Sequence, residues 1–291
     1  MIVKIVFGIL LFLTLYFAFI FFKDFVDNSK KGNLEEISFW KAGGVVGFIA
    51  NFFDTLGIGS FAPLTAMLRF LKLTEDRVLP GTLNVSCTIP VVTEALIFIT
   101  VIKVEPVTLF AMLISATVGA VVGGAGIVSK FDEKKVQLGM GIALMIVACL
   151  MLASQLKLMP VGGTAIGLTG IKLVIAVISN FFLGALMTLG IGLYAPCMAL
   201  VFALGMSPKV AFPIMMGSCA YLMPAASVKF VKEGAYNRKA SMAITVFGII
   251  AVLIAAYIVK ELPLNVLTWL VIVVIVYTSI TMFKSYSKSK V

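Results

Sequence analysis

Histidine is absent from all 291 residues. That removes histidine metal sites, Ser-His triads and histidine proton relays together. Cys87, Cys149, Cys197 and Cys219 sit inside apolar stretches without paired spacing. They read as small packing residues rather than zinc ligands or disulfide partners. No cofactor and no metal is expected. Walker-type GxxxxGK[ST] is also missing, so no P-loop for ATP is expected in this chain. What remains for chemistry is a pair of carboxylates and a repeated motif. Asp54 and Glu94 lie in long apolar stretches, where carboxylates are costly and line cavities or pair with cations. Beside Asp54, Thr55–Pro63 reads TLGIGSFAP, and Thr188–Pro196 reads TLGIGLYAP, identical at seven of nine positions.

The elements that hold these residues are membrane spans. Hydrophobic residues make up 61% of the chain and charged ones 12%, against about a quarter charged in soluble domains. The net charge of +10 sits in short loops, which is the positive-inside signature and argues against nucleic-acid binding. The first apolar stretch, Ile2 to Phe22, has the length of a span and no small-x-small cleavage site after it, so a retained helix is expected. Further apolar stretches run over 41–73, 78–102, 106–128, 136–157, 166–206, 209–228, 240–259 and 263–283.

Two of these are too long for one crossing. As continuous helix, 41–73 and 166–206 would reach about 50 Å or more, against a hydrocarbon core of ~30 Å. Each carries Gly-Ile-Gly and a proline near its middle, which weaken and kink a helix. If each stretch breaks and returns to its own side, Lys23, Lys30, Lys31, Lys41, Arg69, Lys72, Arg77, Lys130, Lys134, Lys135, Lys229, Lys232, Arg238, Lys239, Lys284, Lys288 and Lys290 share one face. That is 17 of 23 basic residues, and the positive-inside rule favours it over a single crossing. The N-terminus is then outside and the C-terminus cytoplasmic. Parity alone admits either re-entrant hairpins or two short spans; the second pieces, 60–73 and 193–206, fall short of a span and favour hairpins. Gly119 and Gly123 form a small-xxx-small spacing that fits close helix packing, and Trp40 and Trp269 lie near expected interfaces.

The motif copies are 133 residues apart (188 − 55 = 133), and the same offset aligns Pro80 with Pro213. Asn51-Phe52-Phe53 answers Asn180-Phe181-Phe182 across a short insertion. An odd number of crossings between the copies makes them inverted, a plan used by secondary transporters with a midplane site. The expected build is therefore an all-α polytopic membrane protein of two inverted repeats. Each has a broken, re-entrant helix pair plus about three spans, in one membrane domain: 1–40 as an extra N-terminal helix with a cytoplasmic loop, 41–157 as repeat 1 and 158–291 as repeat 2. The half-helix after each break begins with unpaired N–H groups and a positive dipole end. Two such ends facing each other form an anion site without a buried full charge. Candidate substrate contacts are Asn51, Thr55, Gly57, Ile58 and Gly59, with Asn180, Thr188, Gly190, Ile191 and Gly192, and Thr55 and Thr188 face each other across the site. A carboxylate beside such a site repels an anion when charged and not when protonated, so Asp54 and Glu94 are the proton-coupling candidates. Helix kinking for packing alone, interface snorkelling of Arg69 and Lys72, and salt-bridged carboxyls are the plainer readings.

The run Gly47-Phe48-Ile49-Ala50-Asn51-Phe52-Phe53, the Gly-containing break, Ala62-Pro63-Leu64 and Gly81-Thr82-Leu83-Asn84 resemble the first half of TauE/SafE proteins, the sulfite-exporter or toluene-sulfonate uptake permease group. Asn180 to Pro196 and Met216-Gly217-Ser218 follow the same plan. The likeness covers nearly the whole chain beyond the first helix. It departs where a run of glycines is reduced to Gly-Ile-Gly and where Leu83 interrupts Gly-Thr-Asn. The resemblance adds Asn84 to the candidate substrate contacts. It implies a secondary transporter of sulfite, another sulfur oxyanion or an organosulfonate in the cytoplasmic membrane, not an enzyme. Its partners are then a small anion and the lipid bilayer, with no sign of oligomeric state. An anion channel could use the same facing half-helices. An intramembrane hydrolase is opposed by the lack of any nucleophile-base or metal-ligand spacing.

Overall fold

The computed structural model describes residues 2–36, 38–128, 130–158, 162–190, 192–257 and 264–288. All regular elements among them are helical: α1 (Ile2–Lys30), α2 (Ser38–Thr55), α3 (Phe61–Phe70), α4 (Leu79–Val101), α5 (Pro106–Val118), α6 (Gly126–Val128), α7 (Glu133–Gln155), α8 (Gly170–Met187), α9 (Tyr194–Ala203), α10 (Pro208–Lys232), α11 (Arg238–Tyr257) and α12 (Leu264–Lys288). A π-helical segment, Gly119–Ala125, joins α5 to α6. Seven of these segments are long and apolar enough to cross a membrane. The chain is a multi-pass, all-α membrane protein.

Both overlength stretches break. The first stops at Thr55 and restarts at Phe61; the second stops at Met187 and restarts at Tyr194. The 18-residue first pieces are about 27 Å long, and the ten-residue second pieces about 15 Å at 1.5 Å per residue. Gly57, Gly59 and Gly190 take φ of +90°, +90° and +95°, a region that L side chains avoid. Each break closes with the same bond: Gly57 N–H donates to Asp54 O at 2.8 Å, and Gly190 N–H to Met187 O at 2.9 Å. Ile191 lies outside the described residues.

Hydrogen bonds sort the loops into two ends. At one end Asp24 takes Arg238 and Tyr236, Glu35 takes the Arg238 and Lys239 amides, and Asn237 reaches Leu73 O. Arg69 grips Asp76 at 2.8 Å and also donates to Thr281 and Ser285, while Gln137 donates to Asp76. Arg69 is thus held in a polar network at 15% side-chain exposure, not snorkelling freely. Lys130 is near enough to Glu233 for its charge to be felt. At the other end Gly163 bonds Met206, Ser207 bonds Ala165, Lys172 caps Leu204 O, and Glu105 both bonds Ile166 and caps α5 through Val107 and Thr108. The α2–α3 pair therefore begins and ends at the first end, and the α8–α9 pair at the second.

Glycines set the closest contacts. A Cβ on Gly47 would come 2.5 Å from Ile244 Cα, and one on Gly119 or Gly184 within 2.0 Å of a carbonyl oxygen, of Phe181 or Ala116. These contacts join α2 to α11 and α5 to α8, each pair running in the same direction. The close packing expected of Gly119 and Gly123 is found, against Phe181 and Ala185 of α8. By contrast α4 and α10 run antiparallel, with Gly81 at Ala235, Thr88 at Ser227 and Ile99 at Gly217. These are the two central spans. α1 lies outside them, its Phe17 and Phe21 buried and its Leu11, Phe12, Leu15 and Phe19 exposed.

Candidate functional site

The two breaks meet. Gly59 lies against Tyr194 and Gly192 against Phe61, a Cβ on either glycine falling 3.8 or 3.9 Å from the ring residue's Cβ. Both contacts are related by the same 133-residue offset (192 − 59 = 194 − 61 = 133). Between them is a buried space of about 20 Å³, room for a single water. Its wall takes Asp54, Gly59, Ser60 and Phe61 from the first copy and Met187, Gly192, Leu193 and Tyr194 from the second, with Val91 of α4 and Cys219 of α10. All four pairs obey the offset.

The wall is polar mainly on one side. Ser60 Oγ donates to Asp54 Oδ2 at 2.9 Å, and the Ser60 amide adds a second bond. The second copy has Met187 and Leu193 at these places. Glu94 reaches the junction from α4, taking a 2.9 Å bond from Tyr194 to Oε2 and a 2.9 Å contact with Thr55 Oγ1 at Oε1. Asp54 and Glu94 are fully enclosed and close enough to feel each other's charge. Nearby, α3 and α9 begin with amides that have no partner inside their own helix. The prolines at positions 63 and 196 fall in these first turns, where a missing N–H costs nothing.

Asp54, Gly59 and Gly192 line the space, while Glu94 and Thr55 stand directly behind it. Asp54 and Thr55 belong to the last turn of α2 rather than to the break itself. Thr188 does not face Thr55: it donates to Ala185 O and turns to Gly124, where a Cβ would meet its Oγ1 at 2.2 Å. The space faces Phe61 and Tyr194 instead. Gly57 packs on Phe212 and Met215, Gly190 on Met140 and Leu83, and Ile58 precedes Gly59 in the turn. Asn51 bonds Gly47 O within α2, Asn84 bonds Pro80 O within α4, and Asn180 ties α8 to Met112 O of α5 and Ser218 of α10. None of these three asparagines lines the space, and each keeps a buried side-chain oxygen without a protein partner. Two carboxyls, Asp54 and Glu94, stand at the junction beside the first amides of α3 and α9. Ser60, Tyr194 and Cys219 were not singled out from the sequence. The first two had a signal: they fall at the only two positions where the nine-residue motifs differ (Ser60 against Leu193, Phe61 against Tyr194).

The family profile Sulfite exporter TauE/SafE matches residues 1–151, just over half of the chain, from α1 through most of α7. The chain belongs to the TauE/SafE family. That is a family of membrane transporters of the sulfite-exporter type. The matched part holds Asp54, Thr55, Ser60 and Glu94, so the acidic half of the junction lies inside it. No curated protein and no solved structure matches the chain.

Proposed function

We propose that this TauE/SafE protein is a secondary transporter that moves a small sulfur oxyanion or organosulfonate across the cytoplasmic membrane together with protons held by Asp54 and Glu94. The observation that carries this reading is the pocket wall: four pairs of residues at one offset, contributed by two broken helices that enter from opposite ends. Antiparallel packing of α4 against α10 supports an inverted relation between repeat 1 (41–157) and repeat 2 (158–291), with α1 outside both. Transporters of that build keep their site at the repeat interface. The free amides of α3 and α9 are the anion's donors.

Charge balance sets the coupling. An anion and two ionised carboxylates brought together in so confined a space, buried away from bulk solvent, repel each other strongly. Occupancy by the anion therefore goes with protonation of the carboxyls, which makes the protein a symporter. The space between the breaks has room for about one water, so loading a sulfonate requires the break loops to part, as in alternating access rather than in an open channel. Reconstituted in liposomes, the protein is expected to take up radiolabelled sulfite, thiosulfate or sulfoacetate with saturable kinetics. Absence of flux for every anion would sink the reading; flux that never saturates would replace it with a channel.

A further inference from the structure

The two breaks are chemically unequal. Tyr194 occupies the place of Phe61, and Glu94 the place of Ser227 (194 − 61 = 227 − 94 = 133). Tyr194 and Glu94 are joined by a 2.9 Å hydrogen bond. The counterpart pair has no ring hydroxyl to make one, and Ser227 lies 3.0 Å from Thr88. The second broken pair is thus tied to α4 through a ring hydroxyl that has no counterpart at Phe61 of the first.

That bond depends on a proton count. Thr55 Oγ1 is 2.9 Å from Asn51 O and 2.9 Å from Glu94 Oε1, yet a hydroxyl has a single proton to donate. When Glu94 is ionised, Thr55 donates to Oε1 and Tyr194 to Oε2. When Glu94 is protonated, Oε1–H donates to Thr55, whose own O–H turns to donate to Asn51 O. Tyr194 is then left bonding an uncharged oxygen, and such bonds are roughly half as strong as those to an ionised acceptor. The titratable groups around Glu94 are Asp54 on α2, Cys87 on α4, Tyr194 on α9 and Cys219 on α10. No lysine or arginine is among these groups.

We propose that Tyr194 is a positioning residue that locks the second broken pair onto α4 while Glu94 is ionised and releases it when Glu94 takes up a proton. The transport consequence rests on the proton-coupled reading above; the lock itself can be tested apart from it.

Tyr194→Phe removes one hydroxyl and installs the residue that the first copy already carries at this place. Cys219 lines the enclosed space, so its alkylation by N-ethylmaleimide in the purified full chain, read by mass spectrometry, reports opening. Variants are compared within one buffer, so that intrinsic thiol reactivity cancels. In mildly alkaline buffer Y194F is expected to label about tenfold faster than the unmodified chain, the ratio carried by a hydrogen bond to an ionised group. In mildly acidic buffer the ratio is expected to shrink to about threefold, since halving the bond's free energy takes the square root of tenfold, and the slow labelling kept there also serves as the folding control. In an E94Q background, adding Y194F is expected to give that same smaller ratio in both buffers, with no dependence on pH. Equal labelling in alkaline buffer, or equal acceleration in both buffers, overturns the lock. Anion flux in liposomes separates the two claims: the labelling pattern without any flux retires transport and keeps the lock, and flux without the pattern does the reverse.

Discussion

Asp54 and Glu94 sit where the membrane makes an ionised carboxyl expensive, and each is met by a hydroxyl, Ser60 for one and Thr55 with Tyr194 for the other. An amide keeps the shape of a protonated carboxyl and holds no proton to exchange. Asp54→Asn and Glu94→Gln are therefore each expected to make the pH profile of anion flux less steep, the remaining carboxyl keeping its own share. In the unmodified chain flux should fall as pH rises, approaching tenfold per pH unit for one obligatory proton once the group is mostly ionised. Initial rates across a pH series check this, and an unchanged profile in either variant removes that residue from coupling. Both carboxyls were legible in the sequence as isolated charges in apolar stretches. Their meeting was not, because it depends on α4 passing behind the α2–α3 break. Thr188 misled for a related reason. Identity within the motif marked it as a site residue, whereas the turn at the end of α8 aims it at Gly124.

At the scale of elements, hydropathy and length placed both breaks and most spans to within a few residues, because lipid imposes a similar length on each crossing, whereas α1 runs eight residues past the expected Phe22, to Lys30. The π-helical segment was not legible. It arises where Gly119, Gly123 and Gly124 admit α8 and the Thr188 turn, and a wide turn leaves no periodic signature. Asn51 and Asn180 looked like substrate contacts because they recur in both copies, and Asn84 because of the family likeness; in the fold all three stand along helix faces outside the space between the breaks. Packing gives a sharp contrast for test. Gly119→Ala places a methyl 1.9 Å from Phe181 O and should lower stability by about 1–3 kcal/mol, as overpacking does. Gly8→Ala meets nothing within 4 Å and should leave stability unchanged or raise it by up to about 1 kcal/mol. Thermal unfolding in detergent checks both; equal effects at the two sites contradict the α5–α8 contact. Arg69→Gln should cost about 1–3 kcal/mol, since it strips the ionic partner from the half-buried Asp76, and the same assay reads it.

For the whole molecule, loop charge predicted which ends lie together, and hydrogen bonds gather Asp24, Glu35, Arg69, Asp76, Gln137 and Arg238 at one end. If that end is cytoplasmic, a green fluorescent protein fused to the C-terminus should fluoresce and an alkaline phosphatase fused there should be inactive; the opposite pattern reverses the orientation. Family membership supplies the transporter class, and the paired breaks supply its centre. The central claim is that anion and protons move together through that centre. It is tested most directly by reconstituting the full chain into liposomes and following sulfoacetate, whose sulfonate stays ionised, under an imposed pH gradient. Sulfoacetate is expected to accumulate on the alkaline side above the equilibrium level, and the accumulation to collapse when a protonophore removes the gradient. Uptake that ignores the gradient and the protonophore would contradict it.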